Sequence, residues 1–431
     1  MKIEEIYKLF LKYPVISTDS RKPEKNSLFF ALKGESFDGN MFTKNALENG
    51  CAYAIVDNPI FALNSNCILV NDTLETLTEL AKYHRKKLRI PILAITGTNG
   101  KTTTKELISH VLLNKFNLVY TKGNLNNHIG VPLTLLSMNS ETQFGVIEMG
   151  ANHPMEIKHL CEIAEPDFGI ITNIGKAHLE GFGSFENIIK TKKELYDFLE
   201  NSNGTIFYNT ENKILSQINS DVNISKIAFG NGINSDVCGS IISSNPFLFV
   251  KIQIASSELN INSKLIGNYN FENILAAVSI GYYFDVDPLK IKEAIENYTP
   301  SNNRSQLIKS NLNTIYLDAY NANPSSIEAS LINFIQLNVE NKCVILGDML
   351  ELGNDAVEEH KKVIDLINKA EFSKVILVGN IYANLNETEN FIRFKDVNNL
   401  KIWLENNRIV DSHILVKGSR GIQLERIVEY L

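Results

Sequence analysis

Short apolar runs alternate with polar, helix-forming stretches along most of this chain. In the first part, Leu28–Leu32, Ala52–Val56 and Ile68–Val70 are separated by turn residues, the pattern of a small α/β unit. A charged helix is predicted over Thr73–Arg89 and leads into Pro91. The apolar strand Ile92–Ile95 then breaks at Gly97, and a second helix begins at Lys101. Beyond it the order strand, loop, helix repeats. Strands are predicted over Phe144–Met149 and Phe168–Ile174, and helices over Pro154–Ala164 and Phe185–Glu200. Such alternation implies a mostly parallel sheet with helices on its faces. Residues 225–266 read instead as short strands between Asn/Ser/Gly turns, an antiparallel insertion or an extension of the sheet. Thr299–Asn303 has linker chemistry. After it come four more strands, Thr314–Asp318, Cys343–Gly347, Lys374–Gly379 and His413–Val416, each followed by a helical stretch. No internal repeat or low-complexity run interrupts this order. The expectation is an α/β protein of three domains, 1–85, 86–300 and 301–431.

Composition narrows the class. A chain of 431 residues is too long for one ordinary core. Its apolar fraction of 44% and charged fraction of 21% are those of a soluble globular protein. A formal net charge of -7, with no Lys/Arg block, argues against nucleic acid as a partner. The five cysteines are scattered without a C-x-x-C pair, which reads as reduced thiols in a cytoplasmic protein. Acids at Glu4 and Glu5 are wrong for a signal peptide, and no apolar run approaches the roughly 18 residues of a membrane span.

The richest local signal is Thr96–Gly97–Thr98–Asn99–Gly100–Lys101–Thr102–Thr103 between the strand and the helix. Glycines let backbone N–H groups approach a phosphate, and the helix N-terminus adds unpaired N–H groups and the positive end of its dipole. Lys101 supplies a point charge and Thr102 a hydroxyl suited to Mg²⁺. The spacing is not the usual phosphate loop, because Ile95 stands where its first glycine belongs. The plainer reading is a Gly/Thr-rich turn with a lysine on a helix cap. Strand, turn and helix in sequence favour a nucleoside triphosphate.

Ligands of open parallel sheets collect at the carboxyl ends of strands. Glu148 ends one strand, His178 follows another, and Lys192 lies on the next helix. A carboxylate and an imidazole near a nucleotide suit a hard, partly hydrated cation. Each also has an ordinary explanation: a solvated loop acid, a loop hydrogen-bonder, and one lysine of the wet run Lys190, Lys192, Lys193. Residue chemistry alone stops at an ATP or GTP enzyme of unspecified reaction.

The phosphate loop, Gly123–Asn124–Leu125–Asn126–Asn127–His128–Ile129–Gly130–Val131–Pro132, Ile147–Glu148–Met149–Gly150 and Ile171–Ser184 together resemble the Mur ligase family of ATP-dependent amide-forming enzymes. The likeness extends to Asp19–Ser20–Arg21 and Leu28–Glu35 in the first domain. In the third it extends to Asp318–Pro324, Gly347–Gly353 and Val416–Arg420. Tyr269–Asn270–Phe271–Glu272–Asn273 departs from the family's His-Asn, and Asn40 stands where histidine often follows Asp-Gly. The Asn-Leu-Asn-Asn and Ala-His-Leu-Glu-Gly-Phe-Gly-Ser runs resemble the member that joins D-alanyl-D-alanine to UDP-N-acetylmuramoyl-tripeptide in peptidoglycan precursor synthesis.

The resemblance implies a small N-terminal UDP-substrate domain, a central phosphate-loop domain with a parallel sheet, and a C-terminal Rossmann-like domain. It implies ATP and two Mg²⁺ ions, with Gly97 through Thr103 around the phosphates, Asn270 and Asn273 at adenine, Arg304 on phosphate and Asp318 on ribose. Thr102 and Glu148 would hold one ion and His178 the second. Lys192 aligns with the lysine that is carbamylated in the family, which would place an anion beside metal and phosphate. Lys101, His178, Lys192 and Arg304 are the expected catalytic residues. Ser20, Arg21 and Asn127 are expected to meet the UDP substrate, and Asn323, Ser325, Asp348 and Glu351 the dipeptide. A monomer is expected. The rivals are a folylpolyglutamate-type ligase, which lacks the first domain, a neighbouring Mur ligase, which would carry an Asp-Asn-Pro-Arg-like motif, and a nucleotide-dependent switch.

Overall fold

The computed structural model describes residues 2–232, 235–255, 257–385 and 391–431. Three main sheets follow one another along the chain. The first has four short parallel strands, in the order Ile16–Ser17, Leu28–Phe30, Tyr53–Val56, Cys67–Leu69. Leu28, Phe30 and Ile55 pack against Ile6 and Phe10 of the N-terminal helix and Leu77 and Leu80 of helix Thr73–Leu88. Asp72 caps that helix by accepting from Glu75 N, and Arg89 ends it in the left-handed conformation. The helix also holds the next unit: Arg85, nearly buried, donates to the carbonyls of Ala164 and Glu165 and pairs with Asp167. Asn40, in place of histidine, is fully buried and binds Asp38 and Asp57.

The second sheet has nine strands with Ile92–Thr96 third from one edge, between Phe168–Ile171 and Phe144–Glu148. These strands are parallel and buried on both faces, so they read as continuous apolar runs. Alternate residues still face opposite ways. Leu93 and Ile95 meet helices Lys101–Leu112 and Phe271–Tyr283, while Ile92 and Ala94 join the core shared with helices Glu156–Ala164 and Phe185–Asn201. Residues 225–266 extend the same sheet. Ser225–Gly230 and Val237–Ser244 continue it in parallel, and Phe247–Ile254 and Ser257–Ile266 close it as an antiparallel meander.

The strand expected over Phe168–Ile174 leaves the sheet at Ile171. Thr172 and Asn173 turn instead to hydrogen-bond the phosphate loop.

The third sheet has six strands, in the order Gln306–Lys309, Asn313–Asp318, Ser412–Lys417, Lys342–Gly347, Lys374–Val378, Ile392–Phe394. All neighbours are parallel except the first pair. The two outer strands were not expected: both are short, and neither is fully buried, so neither carries a strong apolar run. The carboxyl ends of this sheet face those of the second across a cavity of about 870 Å³. Among the described residues no helix is long and apolar enough to cross a membrane, and the five cysteines are free thiols.

Candidate active site

The phosphate loop is shaped by two glycines that other residues could not replace. Gly97 sits at φ +145°, and a Cβ there would lie 2.0 Å from Thr172 Oγ1; Gly100, at φ +77°, leaves 2.7 Å to Asn273 Oδ1. The loop is pinned from the neighbouring strand's end. Thr98 N donates to Asn173 O and Asn99 N to Asn173 Oδ1, both at 2.9 Å, and Thr172 Oγ1 donates to Asn99 O at 2.7 Å. Helix Lys101–Leu112 starts from Gly100, so its first N–H groups, including those of Thr102 and Thr103, open toward the cavity. Lys101 bends back to donate to Gly97 O at 2.7 Å and Thr98 O at 3.1 Å. Burial lowers its pKa to about 8 against the raising effect of Glu148, with Arg304 adding to the fall.

Glu148 lies beside Ile95 in the sheet register, which brings its carboxylate to the loop. It is 1% exposed. Oε1 accepts from Asn126 Nδ2 at 2.8 Å and Thr102 Oγ1 at 3.2 Å, while the buried Oε2 has no partner. A buried carboxylate oxygen left bare is costly, and a hard cation held by Glu148 and Thr102 beside phosphate oxygens would satisfy it. Among the described residues no cluster of three or more His, Cys, Asp or Glu forms a protein cage for an ion. Few protein ligands is the usual arrangement for Mg²⁺ bound with a nucleotide.

His178 lines the cavity at the start of a short helix, in the left-handed conformation. Its Nδ1 is tightly paired with a carboxylate oxygen of Glu351 from the third domain, which leaves Nε2 as the nitrogen to meet a ligand. That contact, its largest influence, holds the Glu351 carboxyl below the usual range. Lys192 is only 3% exposed and is not among the residues that line the cavity; its ammonium is 5.6 Å from the centre of the Phe182 ring. Burial drives its pKa down to about 7, the charge on Lys101 pushes the same way, and Glu156 and Glu194 oppose.

The third domain supplies the opposite wall. The Arg304 guanidinium stacks on the Tyr320 ring at 3.6 Å, and its Nε is buried without a partner. Asp318 ends a strand and takes Lys417 Nζ at 2.5 Å, Ser305 N at 3.3 Å and Ser330 Oγ at 3.3 Å. Burial pushes its carboxyl up, but Lys417 outweighs this and leaves the pKa below the ordinary value. Asn270 and Asn273 line the cavity with amides already engaged. Asn273 links Thr104 to Asn270, and Asn270 donates to Ile266 O. Asn323 caps helix Pro324–Gln336 and also reaches Asn99 Oδ1 at 2.8 Å, while Asn99 Nδ2 donates to Ser325 Oγ at 2.9 Å. The phosphate loop and the third domain are therefore already in contact. Lys176 with Glu359 adds an ion pair across the same cleft.

One sequence expectation is corrected. Asp348 does not line the cavity: it is 2% exposed and accepts from Ile381 N at 2.8 Å and Tyr382 N at 3.0 Å, anchoring a helix start. Ser20 is buried and Arg21 is exposed and paired with Asp19; neither lines this cavity, and both lie in the first unit, where the UDP substrate is expected. Asn127 does line it, although its Oδ1 is occupied by Ile129 N and Gly130 N. Asn126, Tyr320 and Lys417 were missed as site residues. All three lie inside the family-like motifs, and a lysine closing an apolar strand is a readable signal for a buried partner.

A phosphate loop at the carboxyl end of an interior strand of a mostly parallel sheet, faced by a second α/β domain, defines a nucleotide-binding enzyme with an accessory N-terminal unit. Profiles of the Mur ligase middle domain match residues 95–281, of the Mur ligase glutamate ligase domain 303–420, and of the Mur ligase catalytic domain 12–85. The UDP-N-acetylmuramoyl-tripeptide--D-alanyl-D-alanine ligase of Bacillus subtilis is 34% identical over 96% of this chain and 92% of its own length. The ligase of the same name from Haemophilus influenzae is 32% identical with the same coverage. The crystal structure of MurF from Acinetobacter baumannii superposes with a TM-score of 0.85 at 30% identity, covering 96% of this chain and 92% of that one. The chain belongs to the Mur ligase family.

Proposed function

We propose that this protein is an ATP-dependent peptide ligase that joins D-alanyl-D-alanine to UDP-N-acetylmuramoyl-tripeptide, giving the UDP-pentapeptide, ADP and phosphate. The observation that carries this reading is the single cavity in which Lys101, Glu148, Arg304 and Asp318 meet across two domains, in a chain similar over nearly its whole length to ligases of that name.

The tripeptide carboxylate attacks the γ-phosphorus of ATP, and the bond to ADP breaks. The dipeptide amine then attacks the acyl carbon of the resulting acyl phosphate, and phosphate leaves as the amide forms. Lys101 and Arg304 neutralise charge that gathers on the transferring phosphoryl group. Glu148 with Thr102, and His178 through Nε2, would hold two Mg²⁺ ions, which supply electrostatic stabilisation of phosphate oxygens. The Gly97–Thr103 backbone cradles the phosphates, Asp318 holds ribose, and Asn270 and Asn273 border the adenine. Lys192 acts as its carbamate, an anion that reverses its repulsion with Lys101. Asn127 meets the UDP substrate, for which residues 1–85 form a separate unit. Residues 86–300 bind ATP and 301–431 close over it, bringing Asn323, Ser325 and Glu351 to the dipeptide's side. Every one of these residues comes from one chain, so a monomer suffices. A UDP-linked substrate and ATP place the reaction in the cytoplasm.

The test is phosphate release from ATP and Mg²⁺ with each substrate withheld in turn. Release is expected only with both, with one UDP-pentapeptide per phosphate. Release indifferent to the dipeptide would favour another ligase of this build, and ATP binding without release would favour a switch.

A further inference from the structure

A lysine that no step of the reaction uses lies between the phosphate-loop helix and the support of Glu148. Lys105 follows Lys101 by one turn on helix Lys101–Leu112, is fully buried, and does not line the cavity. Its ammonium donates to Thr121 O at 2.6 Å and pairs with Glu106 Oε1 at 2.8 Å, with the centre of the Tyr120 ring 5.7 Å away. Burying a cation is costly, and an apolar side chain of similar volume often serves stability as well. Packing alone does not account for a lysine here.

Thr121 is where the support of Glu148 begins. Strand Leu118–Tyr120 pairs with Phe144–Glu148 only as far as Tyr120 and Val146. Past that point Thr121 N donates to Val146 O at 3.0 Å, and Glu148 N donates to the Thr121 hydroxyl oxygen at 2.9 Å. Five residues on, Asn126 Nδ2 donates to Glu148 Oε1 at 2.8 Å, and Asn126 O accepts from Gly150 N at 2.7 Å. Gly150 permits that approach, since a Cβ there would stand 3.0 Å from Asn126 Cγ. Segment 121–126 therefore holds Glu148 at both its backbone and its carboxylate. The helix holds it twice as well, directly through Thr102 Oγ1 at 3.2 Å and, through Thr121, by Lys105. Oε1 is committed, and the buried Oε2 stays bare.

We propose that Lys105 is a positioning residue for the divalent cation: by pinning Thr121 it keeps segment 121–126 against Glu148, so that Oε2 remains free for the ion. This rests on the reading above that Glu148 and Thr102 hold Mg²⁺. Groups that orient a metal ligand without touching the metal commonly govern its affinity.

The test measures Mn²⁺ binding to the enzyme–ADP complex from the EPR signal of free Mn²⁺, with folding checked by thermal melting. Lys105→Met is expected to weaken Mn²⁺ about 10-fold or more while melting close to the wild type. Thr121→Val should weaken it in the same way, and the double variant should be no worse than the poorer single one, because both act along one chain of contacts. In turnover, Lys105→Met should need more Mg²⁺ while the dipeptide KM stays put. Wild-type Mn²⁺ affinity in Lys105→Met, or losses that multiply in the double variant, overturns the proposal. If Lys105→Met does not fold, Thr121→Val decides alone, and wild-type affinity there overturns it. Glu148→Gln that binds Mn²⁺ like the wild type would overturn the metal reading itself, a distinct result.

Discussion

Replacing Lys101 with methionine is expected to lower kcat by about 10²- to 10³-fold while ATP binding weakens far less. Backbone N–H groups around Gly97 to Thr103 would still cradle the phosphates. What is lost is the loop's own cation, which rests on Gly97 O and Thr98 O. Burial lowers its pKa to about 8, and the charge of an arriving polyphosphate would restore its preference for the charged form. Lys101→Arg should not recover the rate, since a planar fork cannot follow a point charge into this loop. Single-turnover kinetics would measure it, and a methionine variant within tenfold of the wild-type rate would contradict the assignment.

Lys192→Ala is expected to reduce kcat about 100-fold or more, through loss of an anion that orients the metal and phosphate ligands. An ammonium with a pKa of about 7, buried against an aromatic ring and repelled by Lys101, is poorly placed as a cation. The same environment yields neutral amine above about pH 7, and that amine adds CO₂: an N–C bond forms and a proton leaves. Carbamylation and activity should therefore both rise as pH climbs through about 7. Labelled bicarbonate should give a carbamate carbon signal by NMR in the wild type and none in Lys192→Arg. A fully active wild type without that signal would refute the modified lysine.

Local chemistry was readable and long-range pairing was not. Strand, Gly97, Gly100 and helix mark the phosphate loop within a few residues, although Thr172, Asn173 and Asn273, which hold it, come from far along the chain. Lys192 shows a signal that was present but underweighted. In the run Lys190, Lys192, Lys193 it falls on the buried stripe of Ile188, Thr191, Leu195 and Leu199, a period of three and four that marks it as the inward lysine. Asp348 misled because a carboxylate beside a glycine at a strand end looks the same whether it faces ligand or caps a helix. Glu351 with His178, Asn99 with Ser325, and Asp318 with Lys417 join residues far apart in sequence, and only the packed domains bring them together. The outer strands of the third sheet, short and half-buried, lack the apolar runs that marked the inner four.

The most direct test of the ligase chemistry uses UDP-N-acetylmuramoyl-tripeptide labelled with ¹⁸O in both oxygens of its reacting carboxylate. Attack of that carboxylate on the γ-phosphorus carries one labelled oxygen into the phosphate released and leaves the other in the new amide. Phosphate bearing one ¹⁸O per turnover, with unlabelled ADP, is the result expected. Unlabelled phosphate, or label appearing in a nucleotide, would contradict the acyl-phosphate route and, with it, the charge-neutralising roles of Lys101 and Arg304.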